Sequence, residues 1–142
     1  MKVQEQDVFH GPGLVQIVEH QSFKALNRGS EKYGHYLINA DRHVFAKYSK
    51  KKTSPWSFTF GLDDLQAIND AGSLTYVMLA CGHVTLCALT LDELTEVIDL
   101  KAATAQTVTV EVPKRGSCHV KGSKGRMKLA VPHSAFPEKL FA

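Results

Sequence analysis

No apolar run in this sequence approaches the roughly 20 residues of a membrane-spanning helix, so no membrane partner is expected. The opening MKVQEQDVFHGPG carries no apolar stretch behind its single lysine, which removes the signature of a secretory leader and makes a cytoplasmic protein the expectation. Cysteine is scarce. Cys81, Cys87 and Cys118 form an odd set of three, unsuited to a disulfide framework, and read as buried reduced thiols. A glycine-rich phosphate loop is missing too, because Gly122-Ser123-Lys124-Gly125 lacks the Walker spacing. The most telling gap is of charge: residues 61–100 contain no lysine or arginine but seven acids.

The flanks reverse that sign. Residues 1–60 hold nine Lys/Arg against five Asp/Glu, and residues 101–142 hold eight against two. The net charge of +3 therefore hides a basic, acidic, basic order, and a positive surface forms if the outer thirds share a face. With 142 residues, 44% of them hydrophobic, the chain suits a single domain spanning 1–142 with a core of its own.

The strongest structural signal lies between Tyr33 and Phe60. Gly34–Asn39 and His43–Ser49 read as a β-hairpin around Ala40-Asp41-Arg42. Beyond Ser54-Pro55, Trp56, Phe58 and Phe60 alternate with small hydroxyl residues and should share one buried face of a third strand. Residues 1–12 read as an N-terminal arm, and Leu14, Ile17, Val18, Phe23 and Leu26 give helical spacing up to Gly29. Leu62–Ile68 is a second helix with Asp63 and Asp64 at its positive end. Leu74–Cys81 and Val84–Leu89 are near-continuous apolar runs suited to central, doubly covered strands. Leu91–Leu100 is a third helix. Thr107–Val112, Ser117–Lys121 and Arg126–Val131 then form strands of a C-terminal hairpin extension over 107–131. The expected fold class is α+β, a mixed or antiparallel sheet of hairpins with about three helices, its α/β core over 14–100.

This order of elements, with Phe45-Ala46-Lys47 on the second hairpin strand and Glu19 on the first helix, resembles the PD-(D/E)XK restriction-endonuclease-like fold over roughly residues 14–100. The resemblance implies a carboxylate-bound divalent metal and a lysine that helps activate water. Here the first triplet position is Phe45, and the nearest acid, Asp41, falls in the turn. A hard cation needs oxygen ligands, so a degenerate, non-cleaving form is expected, without a cofactor. The alternative is an active nuclease with Glu19, Asp41 and Lys47 around Mg²⁺ or Mn²⁺.

Two basic clusters are the candidate nucleic-acid contacts. The first is Lys47, Lys50, Lys51 and Lys52, and the second is Lys114, Arg115, Lys121, Lys124, Arg126 and Lys128. Clustered cations bind phosphates through counterion release, and a β-ribbon with basic side chains can follow a nucleic-acid backbone. The competing reading of the second cluster is an edge hairpin guarded by lysines. Cys81-Gly82-His83 with Cys87 lacks a fourth metal ligand at any usual spacing. Cys118 and His119, as strand neighbours, point to opposite faces and cannot form a dyad. The expected function is therefore non-catalytic binding to nucleic acid or to a complex that processes it. A protein-only adaptor or inhibitor from a mobile element is the remaining alternative, and an edge strand near 107–131 can pair across a dimer.

Overall fold

The computed structural model describes residues 1–142. Eight strands form two sheets in one α+β domain. The larger sheet has the order β1 (Leu26–Arg28), β2 (His35–Ile38), β3 (Arg42–Ser49), β5 (Thr75–Cys81), β6 (Thr85–Thr90). Its pairs are antiparallel except β3 with β5, which run parallel. The smaller sheet has the order β4 (Trp56–Phe60), β7 (Gln106–Glu111), β8 (His119–Gly122), all antiparallel. A parallel pair needs a crossover, and β4 with α2 (Leu62–Ala71) supplies it.

Alternation along β3 and β5 divides the core in two. Phe45, Val77, Leu79, Cys81, Cys87 and Leu89 face the small sheet, α2 and α3 (Leu91–Val97). Val44, Ala46, Met78 and Ala88 face α1 (Glu5–Glu19) and the C-terminal residues Phe136 and Leu140. All seven residues of β5 are buried, as its unbroken apolar run requires. Strand β6, by contrast, lies at the sheet edge rather than at its centre. Lys139 caps that edge, its Nζ donating to the Ala88 carbonyl at 3.0 Å and to Glu93 at 2.9 Å, which blocks strand addition there.

Three local expectations are corrected. The arm over 1–12 is instead most of helix α1, which runs through Pro12. Gly11-Pro12-Gly13 looks like punctuation, but Gly13 serves packing: a Cβ there would lie 2.6 Å from the Met78 sulfur. The glycine lets the helix backbone settle on β5, with Phe9, Gly13 and Ile17 on the buried face. Second, residues 20–28 are not helical. Asn39, at φ 52°, accepts from the Lys24 and Ala25 amides at 2.7 and 3.1 Å and donates to the Ser22 carbonyl at 2.9 Å. Those bonds turn the chain into β1. Third, residues 107–131 are no appendage, because β7 pairs with β4 through Trp56 opposite Val110 and Phe58 opposite Val108. Residues 126–131 contribute only two isolated bridges.

Buried histidines make the fold sensitive to acid. His35 stacks on Phe45 at 4.1 Å, and its Nε2 lies 2.9 Å from His43 Nδ1. Burial, the neighbouring His43 and Lys32 all hold its pKa below the ordinary value. Burial does the same to His10, although Asp7 opposes it. A depressed folded pKa means that the unfolded chain takes up protons first, so this stability is complete above the unfolded value and is lost as pH falls. The urea midpoint is expected to be lower at about pH 5.5 than at about pH 7.5, either side of the free histidine value. The double substitution His10→Gln, His35→Gln should narrow the gap, and an unchanged wild-type midpoint would refute the assignment.

Candidate nucleic-acid interface

The small sheet has one dry face and one wet face. Trp56, Phe58, Phe60, Val108, Val110 and Val120 point into the core, each at most 2% exposed. Period-2 alternation then sends Ser57, Thr59, Thr107 and Thr109 outward. Ser57 pairs with Thr109 and Thr109 with Lys121, and the Ser57 and Thr109 hydroxyls are 3.1 Å apart. Arg126 bridges to Lys121, and buried Met127 separates it from exposed Lys128. Glu111, opposite His119, is the sole carboxylate on the three outer rows.

At one end of this face the two basic segments meet. The Val112 amide donates to Ser54 Oγ at 2.8 Å, which places the loop 50–55 beside the turn 113–116. That loop is fixed in shape by Trp56, whose indole N–H donates to the Lys51 carbonyl at 2.7 Å. Gly82 supports it from below: at φ 56°, its missing Cβ would sit 2.5 Å from the same carbonyl. Lys114 and Arg115 lie exposed in the neighbouring turn, Arg115 at φ 63°.

Not every predicted cation is free. Lys47 pairs with Asp64 at 2.9 Å, and Lys32 pairs with the other oxygen of that carboxylate at 2.5 Å. Burial works against the Asp64 charge, but both lysines and the Gly61 amide outweigh it and hold its pKa below the ordinary range. Lys50 pairs with Glu5 at 3.2 Å. Lys51 Nζ donates to the Pro55 carbonyl at 2.9 Å. Lys124 turns toward α3, its Nζ on the Thr95 carbonyl at 2.9 Å, where the helix's negative end favours a cation. The side chains of Lys52, Lys114, Arg115, Lys121, Arg126 and Lys128 make no hydrogen bond or ion pair. Replacing Asp64 by asparagine should cost about 2 kcal/mol, since it strands two half-buried lysines. Urea unfolding measures this, and a loss under about 0.5 kcal/mol, the surface-substitution range, would show that the pairs do not matter.

The nuclease constellation does not assemble. Asp41 and Lys47 lie six residues apart on an extended segment, which separates them by about 20 Å at the strand rise. Asp41 pairs with Arg42 at 2.9 Å, and Glu19 is exposed at the far end of α1. No group of three or more His, Cys, Asp or Glu residues is arranged to hold a metal ion.

A cavity of about 280 Å³ adjoins the β4 edge of the polar face, lined among others by His10, Tyr33, Lys47, Tyr48, Ser57 and Thr59. Its existence depends on α1 crossing β3, which local sequence does not encode. His10 Nδ1 lies 3.3 Å from the Tyr36 hydroxyl, and its Nε2 has no partner. Sequence reasoning also missed the outward hydroxyls. Alternation in 56–60 and 107–112 foretold each strand's faces, but not that the two strands are neighbours. No helix is long and apolar enough to cross a membrane. Comparison with family models, curated proteins and solved structures returns no match.

Proposed function

We propose that the protein binds the sugar-phosphate backbone of double-stranded nucleic acid through the outer face of the β4, β7, β8 sheet, without catalysis. The observation that carries this reading is the gathering of Lys114, Arg115, Lys121, Arg126 and Lys128, none of them ion-paired, around four outward hydroxyls. Five residues of strand extend about 17 Å, the axial rise of about five base pairs at 3.4 Å per step. Lysine and arginine supply charge, and serine and threonine hydroxyls donate to phosphate oxygens, fixing position without reading sequence. The aromatics of β4 all point inward, so the sheet strands themselves present no ring on which unpaired bases could stack.

Anisotropy titrations with a short duplex and with the matching single strand, each at low and moderate salt, test this. Duplex binding is expected to be tighter, with log K falling against log salt at a slope of about −3 to −5 for four or five phosphate contacts. No binding to either strand form at low salt would overturn the proposal. A second reading rests on Val8, Val15 and Val18, exposed together along α1 at 50%, 54% and 46%. That stripe suits docking on a protein, as an adaptor in a nucleic-acid-processing complex would. Retention of a partner after nuclease digestion favours it over direct backbone binding.

A further inference from the structure

The cavity of about 280 Å³ at the β4 edge is lined by two stretches of strand, Ala46 to Tyr48 on β3 and Ser57 to Thr59 on β4. Both stretches have backbone groups without partners. The Thr107 carbonyl accepts from the Ser123 amide at 3.0 Å, and the Thr107 amide donates to Ser123 Oγ at 2.8 Å, so this residue of β7 turns its backbone toward β8. Alternation then turns Gln106, Val108 and Val110 toward β4, where Phe60, Phe58 and Trp56 are their register partners. Ser57 and Thr59 are left with N–H and C=O groups pointing away from β7, and no strand pairs with β4 on that side. The same parity holds on β3. The His43 amide donates to the Leu74 carbonyl and the Ser49 carbonyl accepts from Gly82, so the odd residues face β5 and Tyr48 turns its amide and carbonyl the other way. There β2 covers β3 only from Arg42 to Phe45.

Aromatic rings complete the lining. Tyr33 is 72% exposed, with the Arg28 guanidinium over its ring at 5.8 Å from the centroid. Its backbone is nevertheless pinned on both sides, because Lys32 pairs with Asp64 and the Gly34 carbonyl accepts from the Ala46 amide at 2.7 Å. Tyr48 is fixed as well, stacked on Phe9 at 4.8 Å and donating its hydroxyl to Glu5 at 3.0 Å. His10 adds a third ring, 3% exposed, whose Nε2 has no partner within the fold. No carboxylate lines the cavity, and Lys47 does. Lys47 shares Asp64 with Lys32, so two cations on one carboxylate leave a positive charge beside the opening.

We propose that this cavity receives a single unpaired base at the end of a duplex lying on the outer face of the small sheet. The inference rests on the duplex reading above and adds a preference for nucleic-acid ends that carry an overhang. A base has two flat faces that stack on aromatic side chains and an edge of hydrogen-bond donors and acceptors. Tyr33 supplies the ring, with Arg28 on one of its faces and the other left to the base, and the unpaired amides and carbonyls of Ser57, Thr59 and Tyr48 suit the edge. An added peptide strand would use those amides but leave the exposed ring idle. The volume falls just below the range of about 300–1,000 Å³ common for drug-sized ligands, which fits one base rather than a run of them. The positive charge shared by Lys47 and Lys32 favours the phosphate that accompanies it. Because the turn holding Tyr33 is already pinned, stacking there costs little ordering of the chain.

The test is anisotropy at low salt with the full chain and a short duplex made blunt, with a one-nucleotide 3′ or 5′ overhang, or with an abasic nucleotide in the same overhang. One overhang polarity should bind about tenfold tighter than the blunt duplex, within what a single stacked base contributes. The abasic form keeps the extra phosphate and should lose the gain. Tyr33→Ala should abolish the gain and leave blunt-duplex affinity unchanged, while Tyr33→Phe, which retains the ring, should preserve it. A 5-bromouracil overhang irradiated in the complex should crosslink to the peptide carrying Tyr33 or to the one carrying Tyr48. Equal affinity for blunt and overhanging duplexes would overturn the proposal and leave the sheet-face reading standing, whereas no binding of any duplex would overturn both. A gain that survives in the abasic form or in Tyr33→Ala, or a crosslink mapped outside the cavity, would equally overturn it.

Discussion

Neutralising Lys121, Arg126 and Lys128 together as glutamines is expected to weaken duplex binding about a hundredfold at low salt. Each contact between a cation and a phosphate at about 4 Å is worth about 1 kcal/mol in high dielectric, so three removed contacts total about 3 kcal/mol, or two decades in affinity. The slope of log K against log salt should flatten by about 3, one unit for each lost contact. The fold should not notice. All three side chains are exposed and unpaired, and surface substitutions of that kind stay within about 0.5 kcal/mol. The matched control is Lys47, Lys50 and Lys124, equally basic in sequence but already engaged by Asp64, Glu5 and the Thr95 carbonyl. Substituting those three should cost stability and leave affinity within a few-fold. Equal effects of the two triple variants on binding would show that the face was misassigned and that total charge alone matters.

The second large effect is on stability. Trp56→Ala is expected to destabilise the protein by about 3–5 kcal/mol, the range for a large aromatic removed from a packed core. Trp56 is 1% exposed among Phe58, Phe60 and Val110, so the cavity has little room to collapse. The change also removes the indole donor from the Lys51 carbonyl, an acceptor that Gly82 crowds from the other side. Against a typical total of about 5–15 kcal/mol, that leaves a marginal protein. Trp56→Phe keeps most of the buried area and loses only the hydrogen bond, so about 1 kcal/mol is expected. Urea unfolding separates the two. A loss below about 1.5 kcal/mol for the alanine variant would mean that the small sheet does not depend on this ring for its packing.

Why the sequence disclosed some of this and not the rest comes down to the range of the forces involved. Helices α2 and α3, strand β5 and the inward set Trp56, Phe58 and Phe60 were legible because periodicity and first-turn acids are local signals. The partner of β4 was not. Its pairing with β7 spans the acidic middle of the chain, and nothing near Trp56 announces Val110. The same limit explains α1. Gly11-Pro12-Gly13 has the composition of a break, and only contact with Met78 shows that Gly13 is there for close approach. Residues 20–28 carry helical spacing, yet the Asn39 side chain holds their backbone amides in another conformation.

The candidate site was half visible for a related reason. Basic clusters stand out in the sequence, but whether a lysine is available depends on a carboxylate or carbonyl supplied from elsewhere in the fold. Asp64, placed at the start of α2 by its helix-dipole preference, turned out to hold two lysines as well. The outward hydroxyls of Thr107 and Thr109 were implicit in the alternation of Val108 and Val110, and gained meaning only beside Ser57 and Lys121.

Backbone amide shifts recorded while a short duplex is added at low salt test the proposed interface most directly. Binding through the outer sheet face predicts changes concentrated at Ser57, Thr59, Thr107, Thr109, Lys121 and Arg126, fading as salt is raised. Shifts confined to the α1 side, or none at all at saturating duplex, would contradict it.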